Sequence, residues 1–349
     1  MPALSGGGAE RVLINLANYF AQQNFSVDLV VVNKKGAYIN KVSEHVNLIN
    51  FNKNRVLLSI FPLVDYFKNN QPYAVLTTMP HMSLMVIIAR FLSGIKTNLV
   101  IRQPNFLSLN SGDKWWTKYY IKLICWFFNR ADKVIGISHG VCEDLKQLGL
   151  KECQTIHNPA VFPEMFELAK QKVDFNFDKK TFIAVGRLTK QKNFTLLLNA
   201  FAKVRQTIDA QLIILGEGEL RNDLEDQIKT LKLKDVHLLG FVDNPFALMK
   251  QADIFVSSSL WEGFGNAIVE SLALGTQVVS TDCPSGPAEI LEDGKYGFIV
   301  KSNQINELTM AMESALKAPI NNELLILRGQ DFKLEKIAED YKRALLNES

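Results

Sequence analysis

Two acidic residues, Glu262 and Glu270, stand with seven residues between them in Ser259-Leu260-Trp261-Glu262-Gly263-Phe264-Gly265-Asn266-Ala267-Ile268-Val269-Glu270. Gly263 and Gly265 lack Cβ, so the backbone there can turn tightly and approach a ligand. Ala252 to Ser257 reads as a short buried strand, and Asn266 to Leu274 as the start of a helix. One carboxylate therefore sits on a loop beyond a strand, and the other two turns later on roughly the same side. Ligands of open α/β sheets bind beyond the carboxyl ends of the strands. Two fixed acceptors in that place suit a polyhydroxylated ligand, a sugar or a ribose. Taken singly, the same spacing is also that of an ordinary acidic helix start.

Other strand-end turns carry the complementary charge. Gly186-Arg187-Leu188-Thr189-Lys190-Gln191-Lys192 follows an apolar run. Arg187 can fork onto two phosphate oxygens, and Lys192 can add a point charge. Ser5-Gly6-Gly7-Gly8 opens a helix, where unpaired N–H groups favour an anion. Gly216-Glu217-Gly218 and Gly240-Phe241-Val242 are two further turns of the same kind.

These turns need strands and helices to hold them. Val27–Val32, Ala74–Thr77, Asn98–Ile101 and Lys133–Ile137 read as short strands, with helices such as Glu10–Gln22 and Ser83–Phe91 between them. The alternation restarts with strands at Thr181–Val185, Gln211–Leu215, Val236–Leu238, Ile254–Ser257 and Gln277–Ser280. Two βα series imply two doubly wound domains. The boundaries expected are 1–165 and 175–329, with a linker through Asn158-Pro159 and residues 170–180. A last helix, Leu334–Leu346, belongs to the segment of about 330–349 that packs back on the first domain. Only Met1 to Ser5 precede the first glycine turn, too few for a full core strand. The chain start is thus read as truncated, or the first sheet as damaged at its centre.

At 349 residues, 47% hydrophobic and 21% charged, the chain is a soluble globular protein. Its apolar runs are too short to span a bilayer, and no signal peptide is read. Cys125, Cys142, Cys153 and Cys283 show no metal-ligand spacing and read as buried thiols of a reducing compartment. Residues 1–160 carry 17 Lys and Arg against 9 Asp and Glu, so the acidic excess lies in the remainder. A basic half suits an anionic partner. Lys114, Lys118 and Lys122 form one stripe of an aromatic helix, Asp113 to Phe128, that can lie on a membrane surface. The competing reading is a core helix with its lysines in water. No nucleic-acid partner is expected.

Taken in order, Ser-Gly-Gly-Gly-Ala-Glu-Arg, Ala131 to Ser138, Gly186 to Asn193, the two further glycine turns, the Glu262/Glu270 segment and Cys283-Pro284-Ser285-Gly286-Pro287 closely resemble the family 4 retaining glycosyltransferases of bacterial surface-polysaccharide assembly. The resemblance implies the GT-B fold, an α/β architecture of two Rossmann-like doubly wound domains facing across a cleft. It implies transfer of a sugar from a nucleotide-sugar, UDP-linked by family habit, to a saccharide or lipid-linked saccharide acceptor in lipopolysaccharide, capsule or exopolysaccharide synthesis. Arg187 and Lys192 would hold the donor diphosphate, Glu270 the ribose, and Glu262 with Gly263, Phe264 and Gly265 the donor sugar. Gly186, Glu217, Gly218, Phe241 and Val242 would line the donor site, and Gly7 and Gly8 would close on the phosphates. No metal and no other cofactor is implied, because arginine and lysine take that place. The family's first-domain histidine has no counterpart in Leu99 to Asn105, which leaves Arg102 and Asn105 as acceptor-side candidates. His81, His139 and His157 read as packing or hinge residues. The implied location is cytoplasmic, peripheral on the inner face of the membrane. A catalytically silent donor-binding or scaffolding subunit is the alternative, and a nucleotide-sugar epimerase a more distant one.

Overall fold

The computed structural model describes residues 1–4, 7–109 and 115–348, with the backbone alone for residues 115, 116 and 118. The chain divides into two compact units, Met1–Pro159 with Leu334–Ser349, and Ala160–Lys333. The division falls at Pro159, ahead of the expected 165. Residues 170–180, expected as a linker, belong to the second unit. The Gln211 side chain donates to the Asn176 carbonyl at 2.8 Å, and Lys179 pairs with Asp235 at 2.9 Å.

The first unit holds β1 (Asp28–Val31), β2 (Asn47–Asn50), β3 (Ala74–Thr78), β4 (Asn98–Gln103), β5 (Lys133–Gly136) and β6 (Gln154–Thr155). Its helices are α1 (Gly8–Gln22), α2 (Ile60–Asn70), α3 (Pro80–Ser93), α4 (Trp115–Phe128) and α5 (His139–Gln147), with the C-terminal helix Leu334–Leu346. All strand pairs are parallel, as connections through helices require. Leu99, Val100 and Ile101 are fully buried, which is why β4 reads as a continuous apolar run.

The strands form two sheets: β1-β2 and β3-β4-β5-β6. Residues 1–4 run beside β1. The Met1 ammonium donates to the Val30 carbonyl at 2.7 Å, and the Val32 N–H donates to the Met1 carbonyl at 2.9 Å, a parallel ladder. Leu4 is fully buried and packs with Ile14, Leu29 and Val31.

The reading of four thiols is corrected for two. Cys142 and Cys153 are joined by a disulfide, their Cα atoms 5.5 Å apart. The β5–α5–β6 crossover brings the first turn of α5 beside the approach to β6, a proximity that their 11-residue spacing does not advertise. Cys125 and Cys283 remain buried thiols.

The second unit holds α6 (Pro163–Leu168), β7 (Lys180–Val185), α7 (Phe194–Val204), β8 (Ala210–Leu215), α8 (Arg221–Thr230), β9 (Val236–Gly240), α9 (Phe246–Gln251), β10 (Ile254–Ser257), α10 (Asn266–Ala273), β11 (Gln277–Asp282), α11 (Pro287–Leu291), β12 (Phe298–Lys301), α12 (Ile305–Lys317) and α13 (Asn322–Gln330). One parallel sheet runs in the order β12-β11-β10-β7-β8-β9. Phe182, Leu212, Ile214 and Val256 on its strands pack against Leu197 and Phe201 of α7 and Leu308 and Met312 of α12. From β7 the chain builds β8 and β9 to one side and β10 to β12 to the other. The strand order therefore reverses between β7 and β10, the place where doubly wound sheets open a ligand crevice.

Candidate active site

The loops that leave β7 and β10 meet at that switch point. Lys192, from the first, sets its Nζ 2.5 Å from Oε1 of Glu262, from the second. Glu262 is buried, and its Oε1 also accepts from the Ser259 hydroxyl at 2.6 Å. The two loops are laced besides. The Leu260 N–H donates to the Gln191 carbonyl at 2.8 Å, the Gln191 amide to the Trp261 carbonyl at 2.9 Å, and the Ser258 hydroxyl to the Lys192 carbonyl at 2.9 Å. Thr281 on β11 supports the loop from below, donating to the Ser259 carbonyl at 2.7 Å. A paired, hydrogen-bonded carboxylate of this kind holds its cation in a fixed place. The lysine ammonium has three donors, so the Glu262 bond leaves capacity for an anion.

Gly186 makes room for this lysine. A Cβ there would lie 2.8 Å from Cε of Lys192 and 3.0 Å from its Cδ. Gly218 serves loop packing instead, since its Cβ would stand 2.4 Å from the Leu188 carbonyl oxygen. Arg187 is exposed and forms no ion pair among the described residues. Glu217 is committed to Arg221, 2.5 Å away, which also reaches Glu225 at 2.9 Å. Phe241 is exposed at the end of β9, with Val242 half-buried beside it.

Gly263, Phe264 and Gly265 lead into the N-terminus of α10, whose first turn directs N–H groups outward. Gly265 takes φ +111°, a conformation that suits glycine. The Phe264 ring is buried 5.4 Å from Phe332, so only its main chain is offered to a ligand. Gly286 packs on that main chain, where a Cβ would fall 1.8 Å from the Phe264 carbonyl oxygen. Glu270 is buried in the second turn of α10. Burial and then the Glu262 carboxylate raise the Cys283 thiol far above the usual range.

The first-unit candidates fare unequally. The Gly7 N–H donates to Oε2 of Glu10 at 3.1 Å, a cap on α1, and Gly7 and Gly8 are exposed. Ser5 and Gly6 lie outside the described residues. Arg102 is corrected: it is fully buried and is not an acceptor-side group. Its guanidinium donates to the Asn158 side chain at 2.6 Å, the Tyr341 hydroxyl at 3.1 Å and the Thr78 hydroxyl at 3.3 Å, strapping β3 and β4 to the C-terminal helix. Asn105 is half-buried in the loop after β4, where its Oδ1 accepts from the Phe106 N–H at 2.9 Å.

Sequence reasoning missed Gln191, Ser258, Ser259 and Thr281, the scaffold of the Lys192–Glu262 pair. Its one signal was the Ser257-Ser258-Ser259 run closing an apolar strand.

Comparison with known proteins decides the family. The model of group 1 glycosyl transferases matches residues 165–331, and that of Glycosyltransferase Family 4 matches residues 6–160. A Campylobacter jejuni 4-alpha-N-acetylgalactosaminyltransferase acting on N-acetylgalactosamine-N,N'-diacetylbacillosaminyl-diphospho-undecaprenol is 31% identical, over 99% of this chain and 97% of its own. The chain is a family 4 glycosyltransferase. The lipopolysaccharide core glycosyltransferase LpsE of Rhizobium meliloti is 25% identical over 97% of this chain and 96% of its own. Among solved structures, Anabaena HepE bound to UDP and glucose superposes with a TM-score of 0.81 at 19% identity, covering 99% of this chain and 98% of that one. The lipopolysaccharide outer core galactosyltransferase WaaB superposes at 0.77 and 19% identity, covering 100% and 98%. These likenesses give the glycosyltransferase the GT-B fold of two Rossmann-like domains. Among the described residues no helix is long and apolar enough to cross a membrane.

Proposed function

We propose that the protein is a retaining transferase that moves an N-acetylhexosamine from its UDP-linked donor to a lipid-linked saccharide in bacterial surface-glycan synthesis. The observation that carries this reading is the Lys192–Glu262 pair, 2.5 Å across the switch point of the second sheet. It sets a fixed cation and a fixed acceptor side by side, as a sugar on a diphosphate leaving group requires. The donor and acceptor classes rest on the Campylobacter relatives, both named as N-acetylgalactosaminyltransferases acting on undecaprenol-linked saccharides.

Lys192 and the exposed Arg187 neutralise the diphosphate as it departs, when its charge is greatest. Glu270 binds the ribose hydroxyls, and Glu262 accepts from the donor sugar. The departing phosphate takes the acceptor proton as the hydroxyl attacks from the same face, so the protein contributes positioning and charge. Two side-chain cations do the work of a divalent ion, and turnover is metal-independent.

The acceptor reaches the enzyme on a membrane surface through α4. This helix buries Ile121, Ile124, Cys125 and Phe128 and exposes Tyr119, Tyr120, Leu123 and Trp126 beside Lys122. An aromatic outer face with lysine is the composition of a helix lying in a bilayer interface. Lys114 and the Lys118 side chain of the expected stripe lie outside the described residues. The enzyme then works as a cytoplasmic, peripheral protein.

Radiolabelled UDP-N-acetylgalactosamine or UDP-N-acetylglucosamine, incubated with an undecaprenyl-diphosphate saccharide and EDTA, tests the reading. Label is expected in the lipid fraction, its anomeric configuration retained. UDP binding without transfer from a panel of donors would favour a silent subunit, and rescue only by magnesium or manganese would overturn the metal-free step.

A further inference from the structure

The disulfide between Cys142 and Cys153 lies over the end of β5. A Cβ on Gly136, the last residue of that strand, would stand 2.6 Å from the Cys142 sulfur and 3.2 Å from that of Cys153, so glycine makes the space for the bond. The two sulfurs differ in access. Cys142 is buried in the first turn of α5, and Cys153 is half-buried where the chain enters β6. β6 is a two-residue edge strand, paired to β5 through Gln154 and Thr155. The bond therefore ties the start of α5 to the shortest strand of its sheet.

α5 in turn holds the loop that follows β4. Asp144, on the same helix just beyond Cys142, is buried, and its Oδ2 accepts from the Leu107 N–H at 2.8 Å and the Ser108 N–H at 3.4 Å. Asn105, the acceptor-side candidate, lies in that loop, its carbonyl accepting from the Gln103 side chain at 2.6 Å. A continuous set of bonds thus runs from the disulfide through the start of α5 to the acceptor-side loop. Proteins of reducing compartments carry disulfides chiefly as transient, catalytic or redox-sensing bonds. The cytoplasmic site of action proposed above puts this bond in that class, and to that extent the inference rests on that reading.

We propose that Cys142–Cys153 is a thiol–disulfide switch, opened by a cellular dithiol and closed by oxidised glutathione, whose state sets how firmly α5 holds the loop after β4. A thiolate of the dithiol attacks the more accessible Cys153 sulfur. The bond to Cys142 breaks, and Cys142 leaves as a thiolate that takes up a proton. The second thiol of the reductant then attacks the mixed disulfide, forming a cyclic disulfide and releasing Cys153, which takes up the other proton. Two electrons pass from the dithiol to the protein, and two thiols replace one S–S bond. Oxidised glutathione reverses the exchange and leaves as two reduced glutathiones. Sulfurs that are not bonded need more room than bonded ones, so on opening the first turn of α5 and the start of β6 move apart, and the grip of Asp144 loosens.

The test uses the full chain in its oxidised form, incubated natively with dithiothreitol. Alkylation with iodoacetamide and peptide mass analysis should find Cys142 and Cys153 released without unfolding, with Cys153 labelled first. Amide exchange at Leu107 and Ser108 is expected to quicken at least about tenfold on reduction, because a closed disulfide loop resists local opening. KM for the acceptor should rise several-fold while UDP affinity stays the same, and oxidised glutathione should restore both exchange and KM. Cys142→Ala/Cys153→Ala should behave as the reduced chain with or without dithiothreitol. Equal exchange at Leu107 and Ser108 in the oxidised and reduced chains would overturn the proposal. So would a bond that opens only in urea, or a response to dithiothreitol that persists in the double variant. Alkylation and exchange read the switch even in a chain that transfers no sugar, so its failure and that of the proposed activity are told apart.

Discussion

Gly186→Ala isolates the positioning of Lys192 from its charge. The new Cβ would lie 2.8, 3.0 and 3.1 Å from Cε, Cδ and Cγ of Lys192. Carbon atoms rest at about 3.5–4.0 Å, so the lysine stem must retreat by roughly 1 Å. A flexible side chain does so at a cost of about 0.5–1.5 kcal/mol, and stability should fall little. The ammonium, however, leaves its 2.5 Å place on Glu262. A displacement of about 1 Å at a reacting centre costs on the order of a hundredfold in rate, or about 2.7 kcal/mol of transition-state stabilisation. The assay is kcat/KM for sugar transfer, with Tm measured on the same preparations. Lys192→Ala should lose about a hundred- to a thousandfold. Adding Gly186→Ala to Lys192→Ala should then cost almost nothing more, because the displaced group is gone. A Gly186→Ala enzyme of near-parental kcat/KM would refute the reasoning. So would a Gly186→Ala loss that persists undiminished without Lys192.

Glu270→Ala should raise KM for the donor and leave kcat nearly unchanged, because a ribose contact is equal in ground and transition states; steady-state kinetics showing a loss in kcat alone would contradict the role. Tyr119→Ser/Leu123→Ser/Trp126→Ser should abolish co-sedimentation with anionic vesicles while sparing turnover on a soluble acceptor analogue. Lys122→Gln should weaken binding by about 1 kcal/mol at low salt, and unchanged sedimentation of the triple variant would return α4 to a purely structural role. Burial and then the Asp144 charge push Cys125 up to about 12, and Cys283 lies higher still, so neither thiol forms its reactive thiolate near neutrality. Iodoacetamide at pH 8 should leave both unlabelled in the folded protein and label both in urea; prompt labelling of the native chain would show these sites to be open.

Much of the second domain was legible because β7, β8, β10 and β11 are mostly buried on both faces and glycine closes β7, β8 and β9. Ala210–Leu215 has no exposed residue, so it reads as a strand without ambiguity. The short edge strands were not legible. β2, with the polar ends Asn47 and Asn50, and β6, two residues long, carry too little apolar pattern to register. Arg102 misled for a physical reason. An arginine at the end of an apolar strand reads as a ligand group, and only the fold reveals the neutral acceptors Thr78, Asn158 and Tyr341 that enclose it. The Glu217–Arg221 pair was not legible either, since the two come within reach only when the turn between them forms. In the site itself Lys192 and Glu262 were each singled out from residue type and order, but their pairing was not read. Nor was the pair's hydroxyl scaffold, because serine and threonine are common at strand ends for many reasons. The disulfide was hidden because its 11-residue spacing fits no motif.

The central claim is that a nucleotide-sugar diphosphate binds where β7 and β10 part. A crystal structure of the protein with UDP tests it most directly. The account predicts diphosphate oxygens within hydrogen-bonding distance of Arg187 and Lys192, beside the N-terminus of α10, with the ribose hydroxyls on Glu270. UDP bound elsewhere, or at this place with its phosphates turned away from both cations, would contradict it.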